Sequence, residues 1–427
     1  MFLKNLDNLN FRIIMYIISR EAEKMNSLIE RTEYLEWLKK WREKQIIKVV
    51  SGVRRCGKST LFEIYRNWLI SDSVEESQII SINFEDIEFE HLTDYRLLYE
   101  HIKKLLIPNK MNYIFLDEIQ HVESFEKAVD SLFLKDNCDV YITGSNAYFM
   151  SGEFATVLSG RYVELKMLPL SFKEFCSGIN EPLLTNAQKF NRYIENGSFP
   201  YIAKFNITSK EAKDYLRDIY NSVLLKDIVA RLKISDITAL ENVTKFLLHN
   251  IGNMVSATKI ANTLKSEGKG ADQKTVDKYI RGLLDSLMIY EAQRYNLKGK
   301  MFLKTNSKYY AVDVGLRNCL VKCSESDIGH ILENVVFLEL KRRGYDVYIG
   351  QLYENEIDFA AVNGDYISYY QVSATTLDES TLKRELAPFK KVGDNYPKYL
   401  LTLDEVFGNA DYNGIKKKNV LDWLLDK

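Results

Sequence analysis

Gly52-Val53-Arg54-Arg55-Cys56-Gly57-Lys58-Ser59-Thr60 follows, after Ser51, on the run Lys48-Val49-Val50 and leads into Leu61-Phe62-Glu63-Ile64-Tyr65. The first run reads as a buried strand and the last as a helix. Between them stands G-x-x-x-x-G-K-S, a spacing that holds phosphate when it joins a strand to a helix. The glycines let the backbone wrap closely, so N–H groups from Gly52 to Thr60 can point at phosphate oxygens. The start of the helix adds partial positive charge. Lys58 is placed to reach the β- and γ-phosphates, and the Ser59 hydroxyl to ligate Mg²⁺. A glycine-rich turn with an exposed lysine is the competing reading, and the strand–loop–helix context weighs against it.

Met111-Asn112-Tyr113-Ile114-Phe115-Leu116-Asp117-Glu118 is an apolar strand that ends in two carboxylates. Asp117 at such a strand end is a candidate Mg²⁺ holder. Glu118 beside it is a candidate general base for an attacking water. The alternative is an acidic N-terminus for a following helix, Ser124 to Leu134. A further strand, Asp139 to Ile142, ends in Thr143-Gly144-Ser145-Asn146. Asn146 there either senses a γ-phosphate or caps a helix. Arg161, in Leu158-Ser159-Gly160-Arg161 before the strand Tyr162 to Leu165, is either an arginine finger, within the chain or across a subunit boundary, or a solvated side chain. Ile79 to Phe84 supplies one more strand between the loop strand and the Asp117 strand.

Taken together, Val50–Ser59, Phe115-Leu116-Asp117-Glu118-Ile119-Gln120, Ile142–Asn146 and Ser159-Gly160-Arg161 resemble the predicted AAA+-type P-loop ATPases of bacteria and archaea with an uncharacterised C-terminal domain. The resemblance covers essentially Met25 to the end. It implies an α/β core with a parallel sheet ordered 5-1-4-3-2, ATP as ligand, and Asp117 and Glu118 as the Walker B pair. Glu195-Asn196-Gly197-Ser198-Phe199-Pro200 resembles the family's glycine–Phe–Pro turn. Beyond it a helix runs from Lys210, and Asp227 and Arg231 near its end have the i, i+4 spacing of a surface ion pair. Communication between the nucleotide site and the C-terminal parts is the other role open to them.

Leu240–Asn250, a helix capped by Ser256, and Lys274–Leu287 read as three helices, and Met288–Tyr295 with Lys308–Val312 as a hairpin. That is a winged-helix pattern. Lys274, Lys278 and Arg281 on its third helix would meet DNA phosphates, while Asp277 and Asp285 dilute the charge. A packing module that transmits nucleotide state is the alternative. The tail (helix Ile331–Leu340, strands Asp346–Ile349, Glu356–Ala361 and Tyr366–Val372, helix Leu382–Phe389, strand Lys398–Thr402) resembles a restriction-endonuclease-like core. An active member would offer Glu333, Asp358 and an acid-x-Lys on the third strand. Here that strand reads Gln371-Val372-Ser373, so a scaffold without cleavage is expected.

The 427 residues thus divide into a 1–24 extension, a 25–170 ATPase domain, a 171–235 helical connector, a 236–325 winged-helix-like domain and a 326–427 nuclease-like domain. Met25 precedes a clean amphipathic segment, so translation starting there and a short extra helix before it are both open. Lys+Arg total 58 against Asp+Glu 59, which argues against a globally basic nucleic-acid binder but not against a local basic face. Five cysteines, of which Cys319 and Cys323 are four apart with no second pair to make a zinc site, fit reduced thiols in a cytoplasm, and no apolar run is long enough to span a membrane. Three functions are in view: an ATPase that turns over, a nucleotide switch that binds DNA or protein, and an ATP-controlled nuclease. A homo-oligomer is compatible with each.

Overall fold

The computed structural model describes residues 28–145, 157–179, 181–205, 207–299, 301–322, 324, 327–352 and 355–426. Its first sheet contains β1 (Ile47–Gly52), β2 (Ile79–Asn83), β3 (Asn112–Asp117), β4 (Cys138–Gly144) and β5 (Tyr162–Met167). All pairings are parallel, in the order β2-β3-β4-β1-β5, which is the expected 5-1-4-3-2 sheet. The central strands β3, β4 and β1 are buried on both faces because helices cover both. Val49, Ile114, Leu116, Val140 and Ile142 pack with Leu98, Ile102, Val129 and Leu132 of the helices Tyr95–Leu105 and Phe125–Phe133. Val50, Tyr113, Phe115 and Tyr141 pack on the other face with Leu61, Phe62 and Tyr65 of Lys58–Ser71 and with Tyr34, Leu35 and Leu38 of Thr32–Trp41. Lys48 interrupts the apolar pattern of β1 and is buried, but its ammonium pairs with Asp139 on neighbouring β4.

Short helices follow: Phe172–Gly178, Asn186–Asn196, Pro200–Phe205 and Ser209–Ser222. The Gly-Ser-Phe-Pro turn breaks the second from the third, with Gly197 at φ +87°. Asp313 anchors it, accepting from Ser198 N at 2.7 Å and Ser198 Oγ at 2.6 Å. The backbones meet closely there: a Cβ on Gly315 would stand 2.2 Å from Gly197 N. Ser209–Ser222 continues through a π-helical turn, Val223–Val229, and a last α-turn, Ala230–Leu232.

The three helices expected next are Ile237–His249, Ala257–Ser266 and Gln273–Asp285, and the Ser256 Oγ accepts from Lys259 N as a cap. The hairpin is β6 (Ile289–Asn296) with β7 (Met301–Ala311). β8 (Asp346–Leu352), β9 (Asn355–Asn363), β10 (Tyr366–Ser373), β11 (Lys398–Thr402), β12 (Ala410–Tyr412) and β13 (Ile415–Asn419) complete an eight-stranded sheet in the order β12-β13-β11-β10-β9-β8-β6-β7. β6 pairs in parallel with β8, Arg294 opposite Ile349. The hairpin is therefore an edge of the C-terminal sheet, and the expected division at 325/326 cuts through that sheet. The 1–24 extension, including the Met25 question beside it, lies outside the described residues. No helix among the described residues is long and apolar enough to cross a membrane.

Candidate nucleotide site

Two glycines shape the phosphate loop for different reasons. A Cβ on Gly52 would stand 2.5 Å from the Met167 carbonyl oxygen on β5, so space fixes that residue. Gly57 meets nothing closer than 3.5 Å, but its φ of +103° is left-handed and favours glycine. Arg55 is also left-handed, at φ +66°. Left-handed residues in such a turn aim successive N–H groups into a common concavity, an anion nest. Gly57 also caps the helix Lys58–Ser71, so that helix's N-terminal N–H groups face the same way.

Lys58 is buried and lies back across the loop. Its Nζ donates to the Gly52 carbonyl at 3.0 Å and stands 3.2 Å from Glu118 Oε1. Burial works against its charge, yet Glu118 and Asp117 more than offset this and hold the Lys58 pKa above its ordinary value. Burial likewise works against the Glu118 carboxylate, but Lys58, Gln120 and Arg54 hold its pKa below the usual range. Glu118 therefore has a free base's charge at neutral pH while fully engaged in an ion pair. Its backbone is left-handed, φ +54°, a strained state for a residue with a Cβ.

Asp117 is buried at the end of β3 and accepts a hydrogen bond from the hydroxyl of Thr143. Burial raises its carboxyl pKa, opposed by the hydroxyls of Ser59 and Thr143. Thr143 is the hinge of the acid pair: its Oγ1 donates to Asp117 and accepts from Glu118 N at 2.8 Å. Gln120 donates from Nε2 to Glu118 and to Ser145 Oγ. Thr143→Val keeps the shape and removes both bonds from buried partners, so it should cost about 1–3 kcal/mol. Wild-type denaturation midpoint and wild-type nucleotide turnover in that variant would refute this role.

The loop opens on a cleft of about 660 Å³. Arg54, Arg55, Ser59, Thr60 and Glu118 line its base, and Leu28, Ile29, Tyr201, Phe205, Tyr215 and Lys226 its walls. Tyr201 stacks on Tyr215 at 4.8 Å and meets Phe205 tilted at 4.6 Å, an aromatic wall of the same cleft. Arg31 holds the loop from behind: it donates to the carbonyl oxygens of Cys56 and Leu168 at 3.1 and 2.7 Å and pairs with Glu174 at 2.9 Å.

The structure brings Val53, Cys56, Lys58, Ser59, Asp117 and Glu118 together. Asn146 lies outside the described residues. Arg161 goes elsewhere. Ile47, not Gly52, faces Tyr162 across β1 and β5, so Arg161 sits at the end of the sheet opposite the loop, about 17–20 Å away at strand rise. It pairs with Asp130 and lies over the Phe133 ring. The within-chain finger is corrected accordingly. The expected Asp227–Arg231 surface pair is also absent: Asp227 pairs with Arg54 of the phosphate loop, and Arg231 with Asp285. Arg31, Gln120 and Tyr201 were not read from sequence. Gln120 is the one with a signal, a polar residue two positions after the acid pair.

In the C-terminal sheet, Gln371 and Ser373 occupy the third-strand positions, as the sequence has them. An ammonium nevertheless reaches the acids from β7: Lys308 Nζ lies 3.0 Å from Glu333 Oε1 and 2.6 Å from Glu356 Oε1. Burial raises the Glu333 carboxyl pKa, but Lys308 outweighs it and keeps Glu333 ionised. Burial and then Glu333 push Asp358 well above the carboxylate range. No group of three or more His, Cys, Asp or Glu among the described residues is arranged to hold a metal ion.

A family model described as "AAA domain" matches residues 44–176, and one described as "Domain of unknown function (DUF8612)" matches residues 187–327. An uncharacterized protein of Haemophilus influenzae is 39% identical over 93% of this chain and 99% of its own length. Another, from Methanocaldococcus jannaschii, is 31% identical over 81% of this chain and 78% of its own. Among solved structures, the Walker-type ATPase PABY2304 of Pyrococcus abyssi aligns with 69% of this chain and 96% of its own at 15% identity and TM-score 0.47. AMPPCP-bound DnaA from Aquifex aeolicus aligns with 59% of this chain and 86% of its own at 14% identity and TM-score 0.30. With its parallel 5-1-4-3-2 sheet, its phosphate loop and its full-length relatives, the chain belongs to the AAA-type P-loop ATPases of bacteria and archaea.

Proposed function

We propose that the protein hydrolyses ATP with Mg²⁺ in this cleft and uses the cycle to move its C-terminal parts. The observation that carries the proposal is the meeting of Lys58 Nζ and Glu118 Oε1 at 3.2 Å at the phosphate loop, next to the buried Asp117 at the end of β3. These groups serve phosphate binding, proton acceptance and cation holding. The loop N–H groups and Lys58 hold the phosphates. Ser59 and Asp117 offer the hard oxygens that Mg²⁺ takes. Bound there, the ion would neutralise charge on the phosphates. Glu118 accepts the proton of the attacking water as the new O–P bond forms and the β–γ bridging O–P bond breaks, leaving ADP and phosphate. The aromatic wall at Tyr201 and Tyr215, with Ile29, offers the base its stacking surface.

Asn146 would sense the γ-phosphate, and Arg161 would serve a neighbouring copy's site in a homo-oligomer. A cytoplasmic setting suits the free thiols of Cys56, Cys138, Cys176 and Cys319. The second reading adds DNA as partner of a winged helix. It rests on Lys274, Lys278 and Arg281, which are exposed along one face of Gln273–Asp285, while Asp285 is engaged by Arg231 and no longer offsets them.

Calorimetry with MgATP and a phosphate-release assay on the full chain test the proposal, with and without duplex DNA. Uptake with steady release is expected. Uptake without release would select the nucleotide switch, and no uptake would overturn the reading. A change of turnover on adding DNA would support the second reading.

A further inference from the structure

The phosphate loop makes a second buried ionic contact, apart from the Lys58–Glu118 pair. Arg54 Nε donates to Asp227 Oδ2 at 2.8 Å and Nη2 to Asp227 Oδ1 at 3.0 Å, a two-point fork. Its remaining nitrogen reaches Glu85 at 3.5 Å. Arg54 lines the cleft beside Lys58. Asp227 is 3% exposed and sits in the π-helical turn Val223–Val229, a geometry often kept at functional positions. One turn on, Arg231 pairs with Asp285 at 3.1 Å. A Cβ on Gly282, in the same helix as Asp285, would stand 2.8 Å from Leu232 and 2.9 Å from Ile228. Contacts thus run without a gap from the loop, through the π-turn, to the helix Gln273–Asp285.

We propose that Asp227 is a positioning residue that competes with the nucleotide's phosphates for the Arg54 fork, so that filling the cleft frees the π-turn and shifts the helix Gln273–Asp285. The proposal rests on the ATP reading above. A guanidinium fork matches a carboxylate or a phosphate equally well in shape, but a triphosphate brings more charge. Once Arg54 turns to phosphate, Asp227 is a buried carboxylate without its partner. Movement of the turn toward solvent relieves this, and Leu232, Ile228 and Arg231 move with it. Because the two ligands of Arg54 exclude each other, the coupling is reciprocal: whatever weakens the Asp227 contact strengthens nucleotide binding.

The test is MgATP calorimetry together with hydrogen exchange over residues 273–285 on the full chain. Wild type, Asp227→Asn, Asp227→Glu and Arg231→Gln are compared. Asp227→Asn should bind MgATP roughly fivefold or more tighter, and exchange in 273–285 should no longer respond to ATP. Asp227→Glu should restore the response, and Arg231→Gln should lose it. Unchanged or weaker MgATP binding by Asp227→Asn overturns the proposal, as does a surviving exchange response. A purely structural Asp227 would give that weaker binding. Should Asp227→Asn fail to fold, an intact exchange response in Arg231→Gln overturns the proposal instead. No MgATP uptake by the wild type would overturn the ATP reading itself, and the proposal with it, before any variant is compared.

Discussion

Lys58→Ala should weaken MgATP binding by about a hundredfold or more, which is about 3 kcal/mol. The loss exceeds that of one phosphate contact because of what Lys58 touches in the empty site. Its ammonium neutralises Glu118 at 3.2 Å. Removing it leaves a buried carboxylate at the mouth of the nest, where it repels the triphosphate as well as destabilising the fold. Breaking a buried pair by deleting one partner costs about 3–5 kcal/mol. The double variant Lys58→Ala/Glu118→Gln removes both charges, so it should unfold at higher denaturant than Lys58→Ala alone while still failing to bind. Calorimetry and urea titration of the two variants check both statements. If the double variant is the less stable, Glu118 is not the group that Lys58 neutralises.

The phosphate loop was legible because its chemistry is local. Glycine spacing, a strand before and a helix after all lie within about twenty residues, and each element formed where its residues predict. The sheet order came from the family resemblance, and the strand pairings match it. What stayed hidden depends on contacts far apart in the chain. Arg54 and Asp227 are 173 positions apart, and no local pattern joins them. Asp227 and Arg231 look like a helix pair because i, i+4 spacing assumes an α-helix, whereas Asp227 lies in a π-turn and points to the loop. Lys308 was read as part of a wing, so its approach to Glu333 could not be foreseen. The hairpin that carries it belongs to the C-terminal sheet through a parallel pairing with β8 that leaves no mark in either strand's composition. Thr143 does carry a local signal, a hydroxyl near the end of a buried strand, but its two partners lie about 25 positions away at the end of β3.

Glu118→Gln should stop turnover while sparing nucleotide uptake, and it separates the two halves of the site. Loss of a general base slows hydrolysis by about 10²–10⁴-fold. Binding follows a different logic. In the wild type, MgATP must draw Lys58 away from Glu118. With glutamine there, Lys58 keeps only the carbonyl oxygens of Gly52 and Val53, so the triphosphate wins it more easily. MgATP should therefore bind the variant at least as tightly as the wild type and raise its melting temperature more. The nucleotide-free variant should be the less stable of the two chains, by at most about 3–5 kcal/mol. The pH dependence follows from the two shifts. Glu118 has its folded pKa lowered from 4.5, so its share of stability is present above pH 4.5 and is lost as pH falls through the lower folded value. Lys58 has its folded pKa raised from 10.5, so its share is present below pH 10.5 and is lost as pH rises through the higher folded value. Urea midpoints of wild type and Glu118→Gln should thus differ by a constant amount from pH 5 to 9 and converge on acidification below about 4.5. A gap that instead opens on acidification would mean that Glu118 is protonated in the folded chain, and Glu118 would then lose its place as the base.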